Sequence, residues 1–293
     1  MSDLISAIIS GIAQGVPLFI IASGLTLIFG VLSIMNFAHG AFFMLGAFVL
    51  TTTLSGQSVS MPVFLLAALA AAGALAVTGV LADTVVFRKL YGQDPLILLL
   101  ASYALLIALD GLALVIWGNR PRSQASVEGF GGSMQFGDIR VASYDILLLV
   151  VGVIIAATLF LILQKTRVGK IVRAVSIDEQ MARALGVPAR KVQVGVFASG
   201  AALAGLSGAL MAPLVSIDVG LAPTFAIQSF AIVIIGGLGS IAGALAAALI
   251  LGVADSLAVN FAPEVAGFSL YIAVALVLLL RPQGLAKKSV GGH

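Results

Sequence analysis

The sequence has no cysteine, one tryptophan and two histidines, and Lys, Arg, Asp and Glu together make up only 9% of its 293 residues. Without thiols, disulfides, thiolate metal sites and cysteine nucleophiles are all excluded. His39 is the one histidine away from the C-terminus, and no His-rich motif surrounds it. A metal cluster or a nucleophile–base centre therefore lacks its raw material. No metal, no cofactor and no enzymatic activity are expected. A phosphate cradle is missing as well, because Arg167-Val-Gly-Lys-Ile171 lacks both the first glycine and the hydroxyl residue of that motif. Energy for any work must come from a partner or from an ion gradient.

Scarce charge also excludes a soluble protein, since soluble domains carry about 25% charged residues. What the chain has in excess is apolar surface: 61% of residues are hydrophobic, and the mean hydropathy is +1.19. The apolar residues come in runs as long as a bilayer crossing, which takes about 20 residues of helix. The clearest are Pro95 to Trp117, Tyr144 to Leu163, Val192 to Ala212 and Gly267 to Leu280. The start, Met1-Ser2-Asp3-Leu4, has no basic n-region or small-residue cleavage site, so the first apolar run is expected to be a retained helix. These features predict an all-α polytopic membrane bundle in one transmembrane domain spanning 1–293, with about eight or nine membrane segments, some of them broken or re-entrant.

The pI near 9.4 does not mark a nucleic-acid binder, because the positive charge is local. Lys and Arg cluster at Arg88-Lys89, between Lys165 and Lys191, and at Arg281 with Lys287-Lys288. By the positive-inside rule these clusters face the cytoplasm, and so does the C-terminus. The segment 118–143 mixes Arg120, Arg122 and Arg140 with Glu128 and Asp138 and is expected outside, flanked by Trp117 and Tyr144 as interfacial aromatics. The connections near Asp218 and Glu264 carry no Lys or Arg and also belong outside.

With 165–191 and the C-terminus on one side, the chain between them must cross an even number of times, yet only three hydrophobic blocks lie there. The middle block, 225–258, must enter and leave on the same side, turning at Gly236-Gly237-Leu238-Gly239-Ser240. Its first arm, Phe225 to Ile235, would be about 16 Å long as a helix, which suggests a re-entrant or broken pair. The first 50 residues look alike: an apolar stretch from Leu4 to Leu54 is interrupted between Gly30 and Gly40. Irregular backbone at membrane depth is tolerated where protein or a water-filled path satisfies it, and transporters place such segments around the route. Ser33, Asn36, His39, Gly236, Gly237 and Gly239 are the expected lining. His39 has a structural alternative, capping a half-helix or bonding a freed carbonyl.

The most informative segment is 165–191, with seven basic and two acidic residues. Within it Ser176-Ile-Asp-Glu179 has the form of a capping box. A helix is expected over about 177–185, ending at Gly186 as C′ residue with Pro188 beyond. Ile177, Met181, Ala184 and Leu185 form a narrow apolar stripe. So short a helix needs something to pack on, either lipid headgroups or a cytoplasmic protein.

Four motifs then stand in order: Ile34-Met-Asn-Phe-Ala-His-Gly40, Gly169-Lys-Ile-Val-Arg-Ala-Val175 with Asp178-Glu-Gln-Met-Ala-Arg-Ala-Leu-Gly186, Gly236-Gly-Leu-Gly-Ser240 and Arg281-Pro-Gln-Gly284. Together they resemble the permeases of high-affinity branched-chain amino-acid ABC importers, in particular the LivH-type subunit, over essentially the whole chain. The resemblance implies a multi-pass subunit of the bacterial inner membrane. It also implies a LivM-type second permease, two cytoplasmic ATPase subunits and an extracytoplasmic solute-binding protein. The 177–186 helix would be the coupling helix, with Ile177, Asp178, Glu179, Met181, Arg183, Leu185 and Gly186 meeting the ATPase. The family's usual cargo is leucine, isoleucine or valine, while relatives take other amino acids, urea or short amides.

Three further features complete the reading. Asp110, inside the 95–117 span, costs about 3 kcal/mol if it faces lipid, and is expected to snorkel outward, pair with Arg120 or Arg122, or serve transport. Asp83 and Asp255 near helix ends are expected to anchor them. Small residues at four-residue spacing, Gly200, Ala204 and Gly208, then Gly239, Gly243 and Ala247, suit close helix packing within the bundle or against a partner. An ion-coupled secondary transporter is the alternative to an ATP-driven permease, but Asp110 is the only buried carboxylate that would suit it.

Overall fold

The computed structural model describes residues 2–266, 268–280 and 285. Twelve helices account for almost all of the regular structure: α1 Ser2–Leu32, α2 Ala38–Leu54, α3 Met61–Val85, α4 Pro95–Trp117, α5 Ser143–Lys165, α6 Arg167–Ile177, α7 Glu179–Ala184, α8 Ala189–Met211, α9 Leu221–Gly236, α10 Ile241–Phe261, α11 Pro263–Ala266 and α12 Ser269–Leu280. Six of them, α1, α3, α4, α5, α8 and α10, are long and apolar enough to cross a membrane. With the shorter apolar helices α2, α9 and α12 this is the expected all-α polytopic bundle.

Helix α2 forms its axis. All of its residues except Val49, Thr52 and Thr53 are buried. A helix apolar all round has no face to give to solvent and belongs inside. Helices α3, α4, α8 and α9 pack around it, and α1 lies along both α8 and α10. The approaches are set by small residues: a Cβ at Gly46 of α2 would fall 2.1 Å from the Gly205 carbonyl oxygen of α8, so neither helix could come this close with a larger residue there. The ladder Gly200, Ala204 and Gly208 serves this internal packing, with Gly200 against Gly24 and Ile28 of α1 and Gly208 against Phe43 of α2.

The bundle has two distinct ends. At one, Arg140 N–H donates to Ser6 Oγ at 3.2 Å, Ala125 N–H to the Gly56 carbonyl at 3.1 Å, and Arg122 bridges to Ile217. The start of α1, the 55–60 turn, the 118–143 segment and the chain before α9 thus meet there. At the other end Val31 of α1 packs with Val175 of α6, Ala182 of α7 and Ala189 of α8. Leu285 N–H reaches the Ile235 carbonyl at 2.7 Å.

Helix α10 runs antiparallel to α1, with Gly252 beside Gly11 and Gly239 beside Gly30. The chain 221–261 therefore leaves the end holding 118–143 and returns to it, as the crossing count requires. Its arms are longer than expected. The first begins at Leu221 and has 16 residues, and the second has 21. The turn between them lies beside Gly30, near the far end of α1, so the pair is deeper than a half-bilayer hairpin.

Two details add to the expected picture. The 118–143 segment carries an antiparallel hairpin, β1 Ser133–Phe136 with β2 Ile139–Ala142, turned by Gly137 and Asp138. Trp117 and Tyr144 flank the segment as expected and are also tied to the bundle. Trp117 stacks on Phe48 and donates to Thr52 Oγ1 at 2.7 Å, while Tyr144 is buried and its hydroxyl donates to the Leu210 carbonyl.

Candidate translocation and coupling site

The first helix break is built from side chains. Ser33 takes a left-handed φ of +53° after the last turn of α1. Asn36 Oδ1 then accepts from Ala38 N–H at 3.1 Å, a local bond that competes with helix continuation. Ser102 of α4 fixes the strand of backbone between the helices, accepting from Phe37 N–H at 3.1 Å and donating toward the Met35 carbonyl. The Phe37 ring packs against Tyr103 and Phe230. At the second position of α2, His39 is fully buried with Nε2 at 2.8 Å from the Ile21 carbonyl. A carbonyl only accepts, so this nitrogen carries the hydrogen. His39 Nδ1, Asn36 Nδ2 and Thr26 Oγ1 are buried without a hydrogen-bond partner. Each such atom costs about 1–3 kcal/mol.

The second break is built from backbone. Gly237 and Gly239 take φ of +94° and +85°, and Ser240 Oγ accepts from Gly243 N–H at 3.0 Å to start α10. Gly236 is buried so tightly that a Cβ there would lie 2.5 Å from the Gly243 carbonyl carbon. The two breaks adjoin, since a Cβ on Gly30 would come within 3.8 Å of Gly239 Cα. Of the expected lining residues, Ser33 and Gly239 are exposed, while Asn36, His39, Gly236 and Gly237 are buried. His39 lies deeper in the bundle, beside Gly24 and Gly200.

The basic segment is two helices where one was expected. Thr166 caps α6, accepting from Gly169 N–H, and Val168, Ile171, Val172 and Val175 carry the periodic signal that could have identified it. The capping box does not form. Ser176 Oγ donates to the Arg173 carbonyl inside α6, and Asp178 is the N-cap of α7, accepting from Met181 N–H at 2.8 Å. Asp178 wins because it stands where the chain leaves α6 in an extended conformation, with its carboxylate at the first free amides of α7. Glu179 instead pairs with Arg183 one turn on. Helix α7 has six residues, not nine. It stops as expected: Gly186 is at φ +83°, with Gly186 N–H on the Arg183 carbonyl and Val187 N–H on the Ala182 carbonyl at 2.9 and 3.0 Å, the Schellman pattern.

Sequence reasoning missed the inner side of this element. Ala182 is buried with Val175 and Ala189 in a small cluster against which Val31 packs; α7 packs on α6 and α8, and α6 in turn meets α1, whose Val31 stands two residues before Ser33. The apolar stripe points away from the bundle, with Ile177 85%, Met181 57% and Leu185 77% exposed, and Ala184 is exposed beside them.

Among the described residues, Asp110 pairs with neither Arg120 nor Arg122, and its Oδ1 is covered without a partner. Arg122 instead donates to the Trp117 carbonyl at 3.3 Å. Asp83 does anchor its helix end, accepting from the Tyr91 hydroxyl. Burial, followed by that hydrogen bond, holds the Tyr91 phenol above its ordinary pKa. The Arg281-Pro-Gln-Gly284 motif and Lys287-Lys288 lie outside the described residues.

Comparison with known proteins adds a family pattern to this geometry. Residues 7–280 match the model of the branched-chain amino acid transport system/permease component family. The high-affinity branched-chain amino acid transport system permease protein BraD of Pseudomonas aeruginosa is 30% identical, over 95% of this chain and 94% of its own. LivH of Escherichia coli K12, of the same description, is 27% identical over 94% and 93%. The corresponding LivM protein of Escherichia coli K12 is 32% identical over 53% of this chain and 39% of its own.

Proposed function

The chain belongs to the family of permease components of branched-chain amino acid transport systems, and from that footing we propose that it is the channel-forming subunit of an ATP-driven importer. It carries leucine, isoleucine, valine or related small amino acids across the bacterial inner membrane. Its partners are a LivM-type second permease, two cytoplasmic ATPase subunits and an extracytoplasmic binding protein. The end of the bundle formed by 165–191, with the C-terminus, faces the cytoplasm, and the end formed by 118–143 faces outward. The whole chain acts as one permease domain.

The observation that carries this is the placement of α7. A six-residue helix with an ion-paired, double-capped frame turns an apolar stripe outward and rests its inner side on α6 and α8, in a cluster against which Val31 of α1 packs. The exposed side chains of Ile177 at the end of α6, Met181 in α7 and Leu185 at its C-cap make a surface suited to a protein partner, and Val31, packed against the supporting cluster, stands two residues from Ser33. In this reading a push on α7 passes through the cluster it shares with α6 and α8 to Val31, two residues before Ser33. The breaks supply the other half. Ser33, Asn36, His39, Gly236, Gly237 and Gly239 line the route, where buried donors and acceptors without partners find water or solute in a conformation that opens the bundle.

Purification of the chain in mild detergent, with the accompanying subunits identified, tests the assignment. A second permease and an ATPase are expected. Reporter fusions at Gln93 and Ala182 should read cytoplasmic, and fusions at Ser126 and Glu264 external. A chain that purifies alone and transports in vesicles without ATP contradicts the proposal.

A further inference from the structure

We infer that Asp83 of α3 and Arg190 of α8 are the two halves of an ion pair, open in this conformation and closed in another step of transport, and that as positioning residues they tie the coupling end of α8 to α3. The inference rests on the importer reading above. Asp83 is fully buried, and its Oδ1 accepts from the Tyr91 hydroxyl. Its Oδ2 is covered and has no partner among the described residues, and the same holds for Arg190 Nη2. Each atom thus forgoes a charge-assisted hydrogen bond. The two residues stand on helices that pack along their length. Gly79 of α3 meets Ala198 and Ala201 of α8, and Leu75 meets Gly205, so the helices run antiparallel. Asp83 lies one turn beyond Gly79 and Arg190 two turns before Ala198, an offset of about 6 Å along the bundle that a long arginine side chain spans. Arg190 and Arg88 both attract the carboxylate, Arg190 the more strongly. Arg88 is exposed to water, which leaves Arg190 as the cation with a covered nitrogen to offer.

The position of Arg190 is bound to the coupling helix. Arg190 follows Ala189, which is buried in one cluster with Ala182 of α7 and Val175 of α6. The short link from α7 to α8 runs through Gly186, at φ +83° with open space around it. A displacement of α7 therefore carries Ala189, and Arg190 with it. Asp83 stays behind, held by the Tyr91 hydroxyl and by the close packing of Gly79 on Ala201. Glu179, the first residue of α7, also acts on Tyr91, so the coupling helix stands at the edge of the same group of charges. A fixed anchor for the end of α3 needs no more than the Tyr91 bond. The open form leaves two covered charged groups unsatisfied, and the closed form shifts Ala189 within its cluster. Two arrangements balanced in this way are what a switch requires.

The test uses the assembled importer reconstituted in vesicles, with no reactive cysteine in its other subunits. The chain itself has no cysteine, so Val85→Cys with Lys191→Cys, both exposed and close to the pair in sequence, takes two spin labels and leaves Asp83 and Arg190 in place. The expected result is a label separation that changes by several ångströms between the nucleotide-free and the ATP-trapped complex, and no longer does so once Asp83→Asn is added. Asp83→Asn and Arg190→Gln should each lower solute-stimulated ATP hydrolysis several-fold, with basal hydrolysis and subunit recovery unchanged. The double variant should fall no further than either single one, because both remove the same bond, and Asp83→Glu should recover most of the stimulation. Three results overturn the inference and leave the importer reading standing: a constant label separation in a complex that holds its ATPases, full stimulation in either single variant, or losses that multiply in the double variant. If no ATPase accompanies the chain, the importer reading itself fails, and the inference with it.

Discussion

The two helix breaks meet at Gly30 and Gly239, yet they are made of different materials. The first, between α1 and α2, depends on side chains: Asn36 caps, Ser102 braces from another helix, Phe37 wedges between rings, and His39 holds the Ile21 carbonyl. It leaves Asn36 Nδ2 and His39 Nδ1 buried and unsatisfied. The second, between α9 and α10, depends on glycine backbone, and its polar side chain, Ser240, is spent on capping α10. A break rich in unsatisfied polar atoms is suited to meet a solute, while a break of glycines is suited to bend. In the proposed importer the first serves as the recognition element of the pair and the second as its hinge.

That contrast can be broken at several points. The largest effect is expected at the hinge. Gly236→Leu drives a side chain into the Gly243 backbone, an overpacking with a cost on the order of 3 kcal/mol. The α9–α10 pair should fail to close, read as loss of the folded chain in detergent by size-exclusion chromatography. Next comes His39→Leu, which removes the bond to Ile21 and the free Nδ1 without adding bulk. Uptake should fall on the order of tenfold, the equivalent of one lost hydrogen bond, while assembly with the other subunits persists. Wild-type uptake would reduce His39 to packing. The smallest change is Ser240→Ala, which removes a cap contributing about 1 kcal/mol. It should lower the thermal midpoint slightly and leave the solute concentration for half-maximal uptake unchanged. A shift in that concentration would mean that the hinge also recognises.

Much of this organisation was legible in the residues. The apolar runs mark α4, α5 and α8 to within a few positions, and the glycine-rich interruptions mark both breaks, because long runs and glycine clusters are local signals. The failures came where tertiary contacts choose between local options. Ser176 and Asp178 both have N-cap chemistry, and only the path from α6 into α7 selects Asp178. Arg120 and Arg122 are close to Asp110 in sequence, but Arg122 turns to the Trp117 carbonyl and leaves the carboxylate alone. Tyr144 stands at a span boundary, where a membrane interface would suit it, yet the Leu210 carbonyl draws its hydroxyl inward. Nothing local in Ala182 announces that it joins Val175 and Ala189 in the cluster against which Val31 packs.

The central claim of the proposal is that force enters through α7 and reaches the breaks through the cluster it shares with α6 and α8 and then Val31 of α1. Solute-stimulated ATP hydrolysis by the reconstituted complex, with Met181→Asp beside wild type, tests it most directly. Met181 lies in the exposed stripe, outside every spanning segment, so membrane insertion should survive the change. An unpaired charge buried in the ATPase contact costs about 3–5 kcal/mol. The account predicts a stable permease that no longer retains the ATPases or stimulates their turnover. Full stimulation in the Met181→Asp complex would contradict it, and would leave α7 as a helix resting on lipid headgroups.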